Sequence, residues 1–286
     1  MPPPGQQAVL LGLIGAGIQA SRAPALHERE AAEHGLRCIY KLIDIERLGV
    51  GIDALEELLT AAERMGFAGL NITHPCKQAV IPLLNELSGD ARDVGAVNTV
   101  LLRDGRRIGH NTDWWGFAES FRRGLPNVPL QRVVQLGAGG AGAAVAHAIA
   151  KLGAQELVVF DIEPSRSRAL AEHLCGHWGA GRAVAGQDLA AAMNLADGII
   201  NATPIGMLGH PGVPISSDLL RPAQWVAEVI YFPLETELLR AARAKGCRTL
   251  HGGGMAVFQA AEAFRLFTGL QADAERMSRH FVEMGT

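Results

Sequence analysis

The chain has 286 residues, 48% of them hydrophobic and 19% charged, with a formal net charge of −3. That length supplies core for two modest domains or one large one. The charge, without any basic block, argues against a nucleic-acid partner, and no apolar stretch approaches a membrane span. The N-terminal MPPPGQQ lacks the basic start and apolar core of a secretory signal, so a cytoplasmic protein is expected. Cys38, Cys76, Cys175 and Cys247 are scattered without CxxC spacing, which suits reduced thiols better than a disulfide framework.

Residues 8–17, VLLGLIGAGI, form an apolar strand that ends in a glycine turn. Gly15 to Ala20 is itself a GxGxxA, and Asp44 ends a later strand, so this turn is a possible nucleotide site. Ser21, Arg22 and Pro24 interrupt the helix that should follow, which makes the turn a better carrier of Ser21 toward a small molecule. A helix is expected from Pro24 to Gly35, then a strand over 38–45. Asp53 can cap the next helix, and Leu55, Leu58, Leu59, Ala62 and Met65 recur at helical spacing as a buried stripe. Gly66 ends it, and Phe67 to Thr73 is a strand. This alternation implies a mainly parallel sheet covered by helices. A short helix over 78–87 and a strand over 96–102 follow. Asp104-Gly105 signals a hairpin into residues 107–112.

Residues 1–112 read as a first domain, and Asp113 to Gly124 as a helix leading into a second. After the linker 125–129 comes QRVVQLGAGGAGAAVAHAIAKLGAQELVVFD, residues 131–161, which reads as strand, tight turn, helix and strand. The turn Gly137-Ala138-Gly139-Gly140-Ala141-Gly142 is a GxGxxG. Gly137 permits the tight turn, Gly139 lets backbone approach a pyrophosphate, and Gly142 allows close packing behind it. The helix, from about Ala143 to Leu152, offers N–H groups and a partial positive charge to phosphates. Asp161 stands about 20 residues on, where an acid can accept from both ribose hydroxyls. A bound dinucleotide is therefore expected, and NAD rather than NADP, because a 2′-phosphate would meet the Asp161 carboxylate. Arg166 nearby leaves some room for NADP. A helix over 164–177, a strand over 197–203, a loop at Pro204, a strand over 225–230, a helix over 236–245 and a strand over 248–250 complete this unit. The helices from Met255 onward have no strand partner left and are expected to return to the first domain.

Several residues outside the glycine turn could carry chemistry. Asn71-Ile-Thr73-His-Pro-Cys-Lys77 lies between a strand and a helix, where open α/β sheets bind ligands. Lys77 could supply or take a proton at a substrate oxygen; a surface lysine just inside a helix is the plainer alternative. Asp113 could hold that ammonium or simply cap a helix. Asn98 could point into a site or satisfy a sheet edge. Gln259 follows the Gly252–Gly254 run and could face a ligand or solvent. His173 and His177 stand at i, i+4 without a third ligand at matching spacing, so no metal is expected. Trp114 and Trp115 fit packing better than substrate stacking.

Taken together, these motifs resemble the shikimate/quinate dehydrogenase family, nearly end to end. The resemblance rests on Ser21-Arg-Ala-Pro24, Asn71 to Lys77, Gly95-Ala-Val-Asn98-Thr99, Gly109-His-Asn-Thr-Asp113, the Gly137–Gly142 turn, Asn201-Ala-Thr-Pro204 and Gly252-Gly-Gly-Met255 through Gln259. It is closest to the branch that uses NAD with quinate or shikimate. It implies an α/β enzyme of two domains: a substrate domain over 1–112, joined by 255–286, and a Rossmann NAD-binding domain over 113–254. It implies hydride transfer between a ring hydroxyl carbon and nicotinamide, with Lys77 as general acid/base assisted by Asp113. Ser21, Thr73, Asn98 and Gln259 match substrate contacts. Thr203, Pro204, Ile230 and Gly252 match positions around the nicotinamide half. The implied partner is a cyclitol carboxylate, bound by a monomer or homodimer, with no metal.

Three positions depart from the family pattern. Ala23 stands where a second hydroxyl residue is usual, which removes a donor worth roughly 1.5–3 kcal/mol. Cys76 replaces a bulkier residue, and His251 an aspartate. A divergent member acting on another polyol acid such as aminoshikimate, or a dinucleotide-binding regulatory protein without turnover, are the alternatives.

Overall fold

The computed structural model describes residues 8–285; the MPPPGQQ stretch read above as no secretory signal lies outside them. Contacts divide the chain into two compact units, one of residues 8–112 with 259–285 and one of residues 113–258. None of the described helices is long and apolar enough to cross a membrane. The four cysteines form no disulfide.

The first unit begins with β1 (Ala8–Gly15), α1 (Ala23–Glu33), β2 (Arg37–Asp44), α2 (Ile45–Leu48), α3 (Leu55–Arg64) and β3 (Gly69–Ile72). It continues with α4 (Cys76–Ala79), β4 (Glu86–Leu87), α5 (Gly89–Val94), β5 (Thr99–Arg103) and β6 (Arg106–His110). The sheet order is β2-β1-β3-β5-β6-β4. β1 pairs in parallel with β2 and β3, while β5 is antiparallel to both its neighbours. The hairpin at Asp104-Gly105 requires the β5–β6 pairing to be antiparallel, and both turn residues adopt positive φ. The sheet is therefore mixed rather than uniformly parallel. Its β2-β1-β3 half reverses winding direction at β1, so the loops after β1 and β3 flank a switch-point crevice.

Apolar residues cover both faces. On one, Ile14, Leu70 and Ile72 meet Leu55, Leu59 and Ala62 of α3. On the other, Leu11 and Leu13 meet Ala263 and Phe267 from the C-terminal part of the chain. Any side chain at Gly69 would run into the Phe267 ring, so the glycine lets α11 (Gly253–Thr268) lie close to β3. The last helix, α12 (Ala274–Glu283), is tied to α1 by Arg276, whose guanidinium pairs with the buried Glu30 carboxylate at 2.7 Å.

The second unit holds α6 (Asp113–Gly124), β7 (Arg132–Leu136), α7 (Gly140–Lys151), β8 (Glu156–Phe160), α8 (Pro164–Trp178) and β9 (Ala183–Ala185). Then come α9 (Leu189–Leu195), β10 (Gly198–Asn201), β11 (Trp225–Glu228), α10 (Glu237–Ala244) and β12 (Arg248–Leu250). All strands are parallel, in the order β12-β11-β10-β7-β8-β9, a doubly wound Rossmann sheet whose switch point lies between β7 and β10. α6 packs its Phe121 ring edge-on to Trp225 of β11, with centroids 4.9 Å apart. Trp114 stacks edge-on with His147, and Trp115 with Phe258, so both tryptophans pack within this unit.

Four local expectations need correction. Asp53 does not cap α3; it sits in a 3₁₀ turn before it, and Ala54 takes the cap position with no side-chain bond. Met65 is 62% exposed because the helix ends at Arg64, leaving the buried stripe to Leu55, Leu59 and Ala62. Residues 78–87 are not one helix. Pro82 cannot continue the hydrogen-bond ladder, so α4 gives way to a 3₁₀ turn and Leu84 is extended. α7 begins at Gly140, inside the glycine motif, rather than near Ala143.

Candidate active site

In the first unit the loop after β1 folds onto the loop after β3. The Ala16 N–H donates to the His74 carbonyl at 2.9 Å, and Gly15 is in contact with the Thr73 methyl. The earlier glycine turn is thus closed by its own chain. Asp44 accepts from the N–H groups of Gly17 and Ile18 at 3.1 and 3.2 Å and from Gln19 Nε2 at 2.9 Å. Those bonds hold its carboxyl below the usual range, with the Gln19 bond largest. A carboxylate so engaged braces the loop, and no helix starts within it: α1 begins only at Ala23. What the turn displays is Ser21, whose Oγ accepts from the Ala23 N–H at 3.3 Å and whose hydroxyl hydrogen points elsewhere.

Thr73 is fixed by its N–H, which donates to the Ile14 carbonyl at 2.9 Å, and its own carbonyl accepts from Cys76 at the start of α4. Lys77 lies in that short helix, and its carbonyl accepts from the Val97 N–H at 2.9 Å. Val97 precedes Asn98, so the same contact sets Lys77 beside Asn98, the residue just before β5. Asn98 is buried, and its Nδ2 donates to Thr112 Oγ1 at 2.9 Å and toward Gln259 Oε1 at 3.5 Å. Thr112 also donates its hydroxyl toward Gln259 Oε1, at 3.4 Å. Ser21, Thr73, Lys77, Asn98 and Gln259 therefore occupy the carboxyl end of β1 and β3 and the strand beside them. Thr112 joins them, although the sequence reading gave it no role.

In the second unit the glycine turn follows β7. Gly137 adopts φ +94°, and a Cβ there would lie 2.7 Å from the Ala202 carbonyl oxygen. A Cβ on Gly142 would overlap the Gly137 carbonyl oxygen, so its close approach is to the turn itself. Gln135, buried in β7, completes the turn: its Nε2 donates to the carbonyls of Gly137 and Gly142, each at 2.9 Å. Gly139, Gly140 and Ala141 open α7, where the first N–H groups have no partner inside the helix. Nothing lies within 4 Å of a Cβ placed on Gly139. Gly142→Ala should cost about 1–3 kcal/mol through this overlap, and affinity for a dinucleotide should fall about tenfold in a fluorescence titration.

Asp161, after β8, accepts from the Ala138 N–H at 2.8 Å and from the Glu163 N–H at 2.9 Å. Arg166 is exposed and pairs with Glu163 at 3.5 Å. Thr203, after β10, donates its N–H and hydroxyl to Asn201 Oδ1 at 3.0 and 2.6 Å, and Pro204 follows it. Asn201 Nδ2 donates in turn to both oxygens of Glu228 at 3.1 Å, and Thr236 at the start of α10 donates to Glu228 Oε1. Glu228 is 1% exposed at the end of β11. Burial pushes its carboxyl up to about 7, against the lowering effect of its bonds to Asn201, Thr236 and the Ile230 N–H. Ile230 accepts from the Gly252 N–H at 3.0 Å, and a side chain at Gly252 would strike the Val229 and Ile230 backbone. His251 Nδ1 accepts from the Gly253 N–H at 3.1 Å, so it serves the start of α11 as an aspartate could. Partial desolvation of a ring that is still largely exposed, and then Arg243, lower its pKa. Asp113 is buried at the first position of α6.

Asn201, Glu228 and Gln135 are the residues of this unit that sequence reasoning missed. Their one signal was a polar side chain inside, or at the end of, an otherwise apolar parallel strand.

The profile of the shikimate dehydrogenase substrate binding domain matches residues 13–100, and that of the shikimate 5′-dehydrogenase C-terminal domain matches 252–279. A shikimate dehydrogenase (NADP(+)) of Streptomyces avermitilis is 59% identical, covering 98% of this chain and 97% of its own. A quinate/shikimate dehydrogenase (NAD(+)) of Corynebacterium efficiens is 50% identical, covering 97% and 99%. The solved quinate dehydrogenase of Corynebacterium glutamicum in complex with NAD is 47% identical, covers 97% of this chain and 100% of its own, and superposes with a TM-score of 0.92. By motif order, doubly wound fold and identity over almost its whole length, the chain belongs to the shikimate dehydrogenase family of oxidoreductases.

Proposed function

We propose that the protein is an NAD-preferring quinate/shikimate dehydrogenase that moves hydride between a ring hydroxyl carbon and nicotinamide. The observation that carries the reading is the gathering of Ser21, Thr73, Lys77, Asn98 and Gln259 at the carboxyl end of the first sheet. Such a set offers hydroxyl and amide groups to a polyhydroxy ring acid, with one ammonium among them. Lys77, assisted by Asp113, takes the hydroxyl proton during oxidation and returns it to the ketone oxygen during reduction. Ser21 donates to the substrate carboxylate alone, because Ala23 has no hydroxyl to add.

The Gly137–Gly142 turn, with Ala138, Gly139, Gly140 and Ala141, receives the pyrophosphate on the N–H groups of α7. Thr203, Pro204, Ile230 and Gly252 flank the nicotinamide half. NAD supplies the hydride acceptor. Preference for NAD over NADP is supported by Asp161 and Glu163, two carboxylates that a 2′-phosphate would have to approach. Arg166, exposed and only weakly paired with Glu163 at 3.5 Å, is the group here that leaves room for NADP. The relatives carry both cofactor names, NADP for the Streptomyces protein and NAD for the Corynebacterium ones, so identity alone does not choose.

A steady-state matrix of quinate, shikimate and aminoshikimate against NAD and NADP tests the assignment. A kcat/KM with NAD at least tenfold above that with NADP, on quinate or shikimate, is the expected result. A ratio favouring NADP would overturn the reading of Asp161. Turnover of aminoshikimate alone would move the substrate to another polyol acid. NAD binding with no turnover on any of the three would make the chain a dinucleotide-binding regulatory protein.

A further inference from the structure

A chain of buried polar side chains runs through the first unit from β2 to α11. Tyr40 Oη donates to Asn71 Oδ1 at 2.7 Å. Asn71 Nδ2 donates to Thr99 Oγ1 at 3.1 Å and to the Asn98 carbonyl at 3.2 Å. Thr99 Oγ1 donates to Asn98 Oδ1 at 3.0 Å. Asn98 and Thr112 then converge on Gln259 Oε1, as described above. Tyr40, Asn71, Thr99, Asn98 and Thr112 are all buried. Burial raises the Tyr40 pKa well above its ordinary value, so the phenol stays a donor.

The direction of such a chain depends on which end of each amide is nitrogen. Two backbone groups decide it. The Asn98 carbonyl can only accept, so the Asn71 atom facing it is Nδ2. The Thr112 N–H can only donate, and at 2.8 Å it fixes the Asn98 atom facing it as Oδ1. The hydroxyls follow: Thr99 accepts from Asn71 and gives to Asn98, and Thr112 accepts from Asn98 and shares its one hydrogen between Asn98 Oδ1 at 3.3 Å and Gln259 Oε1 at 3.4 Å. Asn98 Nδ2 can only donate, so the end of Gln259 that faces it is Oε1 and the other end is Nε2.

We infer that this relay orients Gln259 to present N–H rather than C=O to the ring, and that Tyr40 and Thr99 are positioning residues for substrate recognition. The ring position facing Gln259 must then carry an acceptor oxygen, and an ammonium there is disfavoured. The inference rests on the proposed substrate-binding role of Gln259. Neither Tyr40 nor Thr99 need touch the substrate.

The test is Thr99→Val, which keeps the shape and removes the hydroxyl, with Thr99→Ser as the restoring variant and Tyr40→Phe at the far end. The substrate KM should rise about tenfold in Thr99→Val, with the NAD KM within twofold, and return toward the native value in Thr99→Ser. A folded Thr99→Val or Tyr40→Phe protein with an unchanged substrate KM overturns the relay. A second readout is independent of turnover. The Gln259 side-chain NH₂ resonances, assigned by their loss in Gln259→Glu, should form one sharp pair in the native protein and broaden or double in Thr99→Val. If they do not respond, the relay is wrong whatever the activity. If they respond while the native protein turns over none of the ring acids, the substrate reading fails and the relay stands.

Discussion

Replacing Lys77 with alanine is expected to lower kcat by about 10²–10⁴-fold and to leave the NAD dissociation constant within twofold. Lys77 lies on the short helix after β3, and the glycine turn, Asp161 and Thr203 all lie in the other unit. Its main-chain carbonyl holds the Val97 N–H, and alanine keeps that bond. The fold around α4 should therefore persist, since the buried member of that helix is its neighbour Cys76. What is lost is the ammonium. Without it the hydroxyl proton has no positioned acceptor as hydride departs, and the ketone has no donor in the reverse direction. A loss in kcat and kcat/KM together marks a group acting in the transition state, whereas a rise in KM alone would mark a binding group. An unchanged kcat would remove Lys77 from the mechanism. Quenching of tryptophan fluorescence by NAD gives the binding half of the measurement, because all four tryptophans lie in the unit that carries the glycine turn.

The second unit was legible because its signals repeat at every level. Apolar β-branched runs alternate with helices, and the glycines stand where the turn needs them: positive φ at Gly137, a carbonyl in contact with Gly142. The first unit's glycine turn carried the same letters but lacked a helix directly behind it. Asp44 there binds its own loop through Gly17, Ile18 and Gln19. Interrupted turn chemistry was the readable sign. Short elements escaped. α5 buries only Ala91 and Val94, α9 only Met193, and β4 has two residues, so none carries a full period of its own. The hairpin signal gives the antiparallel β5–β6 pair but not the direction of β5 against β3, so the sheet is mixed although β1, β2 and β3 alternate with helices as a parallel sheet would. The supporting residues of the candidate site were the least legible. Asn71, Thr99, Asn201 and Glu228 earn their places through partners 27 to 31 positions away on other strands, and no local pattern encodes those pairings.

Glu228→Gln is expected to change the pH dependence of stability by about 3 kcal/mol between acid and mildly alkaline conditions. The carboxyl's ordinary value is 4.5, and burial raises it to about 7 in the folded protein. Between those values the unfolded chain has released the proton while the folded chain still holds it. The stabilisation is fully present below about pH 4.5 and is lost as pH rises through about 7. Glutamine cannot ionise, so the variant should lack this loss, gain on the native protein from about pH 4.5 to about pH 7 and hold a constant lead above it. The comparison cancels every other titrating group that the substitution leaves alone. Trp225 is buried on the same strand, three residues before Glu228, so fluorescence-detected urea unfolding reports the right unit. A gap between the two proteins that stays constant across pH would mean that Glu228 ionises as it does in the unfolded chain. The same titration reaches the cofactor side through geometry. Glu228 holds Asn201, and Asn201 Oδ1 holds both the N–H and the hydroxyl of Thr203. An ionised carboxyl accepts from Asn201 Nδ2 with both oxygens, and a protonated one has a single acceptor to offer without its proton in the way. Near neutral pH the native protein samples both, so its KM for NAD should vary over this range, while that of Glu228→Gln should stay level.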